Sequence, residues 1–364
     1  MFNSKKALAA LITAPAVAAL VATGLVAGPA AADPPPPTGA SYCTVGSDTT
    51  QDVIQRLAGT VQSSAATGNK KFESWNATGT SPIDTGCADG TFTRPNGSSA
   101  GITALRDSKG LLPTDGPVPA GAVSFARSSR GPNSAGSDLT FVPFGIDAVA
   151  AAVKSGGLLD QAFPNGLTFA QLQSIYNCTT TSITVGGQTA TIAPYVPQAG
   201  SGTRSFFLGA LGLSDTVVGP TCVKDVTVGG AAVQEHDGRV LTDPAGVVEI
   251  VPISIAQNIA QSNTSFTQAV DRRGDSELLA LNGVAPTTGA GLTLAINPAW
   301  PAAFQRPVYN VFKTTEVSGI FADQALVNLF VSNSSVVCSN ATTIRLFGFL
   351  TNSGCGSLGT QGNS

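Results

Sequence analysis

The sequence predicts a two-lobed α/β fold. Three observations lead there. Apolar runs of strand length alternate with segments whose apolar residues recur at helical spacing, loops of small residues join the two kinds, and the chain is long enough for two lobes. The chain has 364 residues. Setting aside a leader leaves about 330, more than one small domain needs and enough for two real cores.

Lys5 and Lys6 precede an apolar run from Ala7 to Val26, followed by Gly28-Pro29-Ala30-Ala31-Ala32 and Asp33-Pro34-Pro35-Pro36-Pro37. A basic start, an apolar core and a small-residue site read as a secretory signal peptide over residues 1–32, cleaved near Ala32. Residues 33–40 read as an extended proline-rich linker. The first cysteine, Cys43, lies too far from the cleavage site for a lipid anchor. A secreted or wall-associated protein outside the cytoplasm is therefore expected, and no later stretch is long and apolar enough to span a bilayer.

Cys43, Cys87, Cys178, Cys222, Cys338 and Cys355 all follow the leader, and an even set in a secreted chain argues for three disulfides. Spacing alone leaves the connectivity open. Grouping into an early, a middle and a late pair favours Cys43–Cys87, Cys178–Cys222 and Cys338–Cys355. With no Cys-x-x-Cys pair and one histidine, His236, neither a metal nor a cofactor is expected. Charged residues make up 11% of the chain and the net charge is −3, which argues against nucleic acid or an acidic membrane as partner. An anion would have to be caught by local donors, and a monomer is expected.

Ordered structure should begin at Ser41. Tyr42-Cys43-Thr44-Val45 reads as a strand, Gly46-Ser47-Asp48-Thr49-Thr50 as a turn, and Val53, Ile54, Leu57, Ala58 and Val61 as one face of a helix. Asp48 with Gln51 three places later resembles a capping box. The functional alternative has the loop N–H groups and the Ser47, Thr49 and Thr50 hydroxyls facing a ligand. Gly97-Ser98-Ser99-Ala100-Gly101 is a second small-residue loop opening a helix. Ala122 to Ala126 reads as a buried strand that runs into the donor-rich loop Arg127-Ser128-Ser129-Arg130. For those arginines by themselves, solvated loop charge is the ordinary expectation.

Leu139 to Asp147 is extended and apolar, Ala148 to Lys154 either continues it or begins a helix, and the stretch reads as a crossing between lobes. Thr168 caps a helix ending at Tyr176. Ala190 to Val196 is extended, and Pro197-Gln198-Ala199-Gly200-Ser201-Gly202-Thr203-Arg204 then opens a helix with Ser201 or Thr203 as its cap. Gly200 and Gly202 allow close backbone approach, the first-turn N–H groups are unpaired, and Arg204 adds a charge, so this loop reads as an anion cradle. A plain capped helix with a surface arginine is the structural alternative. Val247 to Pro252 is a strand leading to a helix at Ile255–Ala260, Pro307 to Lys313 a strand returning to the first lobe, and Phe321 to Phe330 a helix. Lobe one is expected at 41–142 plus 309–364, and lobe two at 143–308.

Taken in order, these loops resemble those of the phosphate-binding proteins of bacterial ABC importers. Gly46-Ser47-Asp48-Thr49-Thr50 is similar to that family's first Gly-Ser/Ala-x-Thr loop, Gly97-Ser98-Ser99-Ala100-Gly101-Ile102 to its Gly-Ser-Gly-Gly-Gly-Ile segment, and Gly200-Ser201-Gly202-Thr203 to its Gly-Ser-Gly-Thr motif. The resemblance implies a class II periplasmic-binding-protein fold, each lobe a mixed sheet flanked by helices with the ligand cleft between them. It implies no enzymatic activity. The implied role is capture of inorganic phosphate for uptake through an ABC permease. Ser47, Asp48, Thr49, Thr50, Ser98, Ser128, Ser129 and Arg130 would line one wall, and Ser201, Gly202, Thr203 and Arg204 the other.

Two departures bear on the ligand. Where the family carries Ser-Asp, this chain has Ser128-Ser129, so the carboxylate that accepts the proton of monohydrogen phosphate is missing. The family's arginine just before Gly-Ser-Gly-Thr is absent too, its place falling near Pro197. Arg204, Arg127 and Arg130 are left to supply charge, and Asp48 is the acid within the loops that would take over as acceptor. Without an acceptor the site would favour fully ionised sulfate, and a sensing or adhesion role on the same fold is a further alternative. A hydrolase reading pairs Ser99, in a Gly-x-Ser-x-Gly match, with His236. It is weakened by the proline-broken stretch before the match and by the turn-like, exposed setting expected for His236.

Overall fold

Strand and helix alternate along the chain as far as β3. In order come β1 (Ser41–Gly46), a 3-10 turn at Asp48–Thr50 running into α1 (Gln51–Thr60), β2 (Lys71–Ser74), α2 (Ser98–Ser108), β3 (Phe125–Ser128) and β4 (Leu139–Lys154). Then follow α3 (Leu158–Ala162), α4 (Phe169–Tyr176), β5 (Ser182–Val185), β6 (Gln188–Pro194), α5 (Gly202–Ala210), β7 (Val247–Ser254), α6 (Ile255–Ser262), α7 (Thr264–Thr267) and β8 (Ser276–Leu278). The hairpin of β9 (Thr287–Thr288) and β10 (Ala295–Ile296) precedes β11 (Gln305–Lys313), α8 (Thr314–Val317) and α9 (Gln324–Phe330). This computed structural model describes Asp33, 41–60 and 70–364. The expected signal peptide and the linker after Asp33 lie outside the described residues. Among those residues no helix is long and apolar enough to cross a membrane.

The strand order β2-β1-β3-β11-β4-β7-β6-β5 divides at β4 into two mixed sub-sheets, one for each lobe. β1 is parallel to β2 and β3, while β11 runs antiparallel to both β3 and β4. Residues Leu139 to Ala148 of β4 pair with β11, and Val149 to Val153 pair with β7. β4 is nearly continuous apolar sequence and buried along almost its whole length, as a strand covered on both faces must be. Ala148 to Lys154 therefore continues the strand. Its alanines favour helix, but five registered pairs to β7 outweigh that propensity.

The buried strand expected at Ala122–Ala126 lies later, at Phe125–Ser128, because pairing to β1 runs from Phe125 to Arg127. Arg127 is consequently a strand residue. Helix α9 starts only at Gln324, where the Asp323 carboxylate accepts from the Ala325 N–H at 2.9 Å. Phe321 is 82% exposed rather than part of that helix.

Phe72, Phe125, Phe312 and Phe330 close the β1–β3–β11 side with ring centroids 4.8–5.7 Å apart. On the other half, Phe207 of α5 packs edge-on against Tyr176 of α4 at 4.9 Å. Disulfides join Cys43 to Cys87, Cys178 to Cys222 and Cys338 to Cys355.

Candidate functional site

Three helix N-termini meet between the sub-sheets. Gly46 ends β1 at φ 120°, and a Cβ on it would lie 2.6 Å from the Arg127 carbonyl, so the chain turns into Ser47 at a spacing only glycine permits. Across from it α2 begins at Ser98 and α5 at Gly202. The Ser99 N–H donates to the Gly200 carbonyl at 3.1 Å, and the Thr49 and Thr203 hydroxyls lie 3.4 Å apart. A Cβ on Gly202 would collide with the hydroxyls of both Ser98 and Ser129. Ser201 caps α5, its Oγ accepting from the Arg204 N–H at 3.0 Å. Each helix start carries N–H groups without an intrahelical acceptor and a partial positive charge. The convergence suits an anion.

Arg306, Asp147 and Glu235, which the sequence reading did not single out, lie at the centre of this site beside His236, which that reading had placed in the hydrolase alternative. Arg306 on β11 stands opposite Asp147 on β4, and its Nε and Nη2 donate to Asp147 Oδ2 at 3.1 and 2.8 Å. Nη2 also donates to Thr203 Oγ1 at 2.9 Å, while Nη1 is buried without a hydrogen-bond partner among the described residues. Asp147 Oδ1 accepts from the Ser254 hydroxyl at 2.6 Å. Glu235 Oε1 accepts from Ser201 Oγ and from the Thr203 N–H, and its Oε2 is buried with no partner among the described residues. Burial, and next the charge of Asp48, raise the Glu235 carboxyl above its ordinary range. The signal for Asp147 was an acid inside an apolar run. The signal for Glu235 and His236 was adjacent ionisable residues in a weakly charged stretch.

His236 is 1% exposed, not the exposed turn residue expected. Its Nδ1 accepts from the Ser254 N–H at 3.1 Å, which puts the ring proton on Nε2, 2.9 Å from Thr49 Oγ1. Burial first, then the charges of Arg306 and Arg272, hold the imidazole well below its usual range. It is neutral, so the Glu235 carboxylate 3.8 Å away makes no ion pair with it. Both ring nitrogens are engaged, and Ser99 Oγ accepts instead from Arg130 Nη2 at 3.0 Å. The Ser99–His236 pair that a hydrolase would need is not formed.

The residues anticipated from sequence divide into two groups. Ser47, Thr49, Thr50, Ser98, Ser129, Ser201, Gly202 and Thr203 cluster at the three helix starts, with the Ser47 and Thr50 hydroxyls buried and unpartnered among the described residues. Ser98 Oγ accepts from the Ser129 N–H at 3.1 Å. The others are engaged elsewhere. Asp48 does not act as a free acceptor, because Arg272 grips both its oxygens at 3.1 Å each. Nor does it form a capping box with Gln51, whose Oε1 accepts from the Ala77 N–H. The Ser128 hydroxyl donates to the Arg130 carbonyl at 2.7 Å, and Arg130, its guanidinium lowered by burial to about 10, divides its donors between Gly131 O and Ser99 Oγ in the first turn of α2. Arg204 turns to Asp215 and Asp225, at 2.9 and 2.8 Å, and to the Pro197 carbonyl. The charge expected of it in the cradle is neutralised there. Among the described residues no group of three or more His, Cys, Asp or Glu could hold a metal ion.

No protein-family model and no curated protein matches the sequence. Among solved structures the chain is similar to a protein from Clostridium perfringens described as a phosphate ABC transporter substrate-binding protein with bound phosphate. The identity is 15%, the match covers 86% of this chain and 99% of that one, and the TM-score is 0.51. An ABC-type phosphate transport receptor from Vibrio cholerae is 16% identical over 86% of this chain and 100% of its own, with a TM-score of 0.49. At such identities the likeness concerns the fold, which is two α/β lobes of the class II periplasmic-binding-protein type.

Proposed function

We propose that this chain is an extracytoplasmic solute-binding protein that captures inorganic phosphate, as monohydrogen phosphate, between lobes at 41–142 plus 309–364 and 143–308. It would deliver the ion to an ABC permease. The observation that carries this reading is a pair of buried orphans beside Thr203. Arg306 Nη1 is a charged donor and Glu235 Oε2 an acceptor, neither with a partner among the described residues. Donors at the three helix starts and at Arg306 suit any oxyanion. A buried carboxylate does not. Burial makes its charge costly, and when ionised it is a second negative charge beside sulfate, whereas monohydrogen phosphate can donate its remaining proton to it. Glu235 thus takes the acceptor role for which Asp48 is unavailable.

Calorimetric titration of the mature protein with phosphate and with sulfate at neutral pH tests the reading. Phosphate binding that sulfate does not displace is expected, and the Glu235→Gln protein should lose about 10- to 100-fold of that preference. Because Glu235 already holds Ser201 Oγ and the Thr203 N–H, a different result is informative. Equal gains for both ions in Glu235→Gln would mean that the carboxylate competes with the ligand, and the phosphate reading would fall.

A further inference from the structure

Arg127 lies beneath the first helix start, fully buried on β3. Its Nε donates to the Ser47 carbonyl at 3.2 Å, Nη1 to the Thr44 carbonyl at 3.3 Å and to Ser74 Oγ at 2.9 Å, and Nη2 to the Gly46 carbonyl at 3.3 Å. Three carbonyls from the end of β1 and its turn therefore point at one guanidinium. No carboxylate is hydrogen-bonded to it among the described residues. The nearby charges are otherwise engaged. Asp48 is held by Arg272, Asp52 receives Gln257 Nε2 at 3.1 Å, and Asp33 pairs with Arg94. Burial lowers the Arg127 guanidinium to about 10, against the pull of Asp48 and Asp52, so it is cationic at neutral pH.

This geometry has two physical consequences. A peptide carbonyl fixed inward leaves the N–H of the next residue directed the other way. The Ser47 carbonyl on Arg127 thus orients the Asp48 N–H at the start of the helix, where the N–H groups have no intrahelical acceptor. A full charge behind those donors, in a medium that screens it poorly, strengthens their attraction for an anion. We infer that Arg127 is a positioning residue for oxyanion capture, holding the Ser47–Thr50 turn toward the cleft and charging it from behind without touching the ligand. The inference rests on the oxyanion reading.

Its test is phosphate affinity by calorimetry between pH 7.5 and 9.5 for the wild type, Arg127→Met and Arg127→Lys, with thermal melts in parallel. Arg127→Met should bind phosphate at least about 30-fold more weakly, and Arg127→Lys should recover most of that loss at pH 7.5. A buried lysine has its pKa lowered by desolvation below that of the guanidinium, which itself titrates near 10, so affinity of Arg127→Lys should fall earlier and more steeply with rising pH than that of the wild type. A role limited to filling space would not move that profile. Superimposable pH profiles, or Arg127→Met binding within about threefold of the wild type, would overturn the inference. Should Arg127→Met fail to fold, the Arg127→Lys profile decides. A wild type that binds neither phosphate nor sulfate overturns the oxyanion reading and this inference together.

Discussion

Arg127 and Arg204 invite comparison. Both are buried beside a helix start in the cleft, and both follow a loop of small polar residues or lead into one. Arg204 meets two aspartates, whereas Arg127 meets three carbonyls and a serine hydroxyl. A guanidinium paired with carboxylates has its field cancelled locally, but one satisfied by neutral dipoles keeps it. On the proposed reading Arg127, whose hydrogen-bond partners carry no charge, keeps a field at the first helix start that Arg204 loses, although Arg204 stands within the motif that suggested a cradle.

Arg306 tests this contrast most severely, since it combines a carboxylate partner with an orphaned N–H. Arg306→Ala leaves Asp147 buried without its cation, and urea unfolding should show a loss of about 3–5 kcal/mol. Calorimetry should show phosphate binding abolished. Wild-type stability with lost binding would mean that the Asp147 pair contributes nothing to the fold.

A smaller effect comes from His236, the only histidine in the sequence. Its folded pKa is depressed, so its contribution to stability is complete above the unfolded value and declines as pH falls below about 6.5, by up to about 1.4 kcal/mol per pH unit. Glu235, whose pKa is raised, acts in the opposite direction. Urea unfolding from pH 7.5 to 5 should therefore show a steeper acid decline in the wild type than in His236→Asn. Parallel curves would mean that the ring is not held neutral.

Arg204→Met should matter least. Phosphate affinity is expected to stay within about threefold of the wild type, and stability to fall by about 1 kcal/mol or less, because Asp215 is exposed and Asp225 only half-buried, so solvent screens their pairing. An affinity loss as large as that of Arg127→Met would erase the distinction between the two arginines.

Local features were legible because their causes are local. Thr168 caps α4 as the sequence suggests, through a capping box with Gln171, and Ser201 caps α5, each through residues within one turn. The acids that neutralise Arg204 lie only 11 and 21 residues downstream, yet the sequence reading kept its charge for the cradle, because proximity along the chain does not fix where a side chain turns. Arg306 and Asp147 are 159 residues apart and meet only through the antiparallel register of β11 on β4. No periodicity or spacing in the chain encodes that register.

Sequence alone was sufficient for most of the strands and helices, the starts of α2, α4 and α5 and the small-residue loops before them, since apolar periodicity and backbone freedom belong to short stretches of chain. Tertiary structure decided which charges remain available. Asp48 lost its oxygens to Arg272 and Arg204 its charge to two aspartates, while Glu235 and Arg306 each kept one atom without a partner among the described residues. Charge and hydrogen-bond capacity depend on partners and burial, and those are set by strands that meet only after the chain has folded.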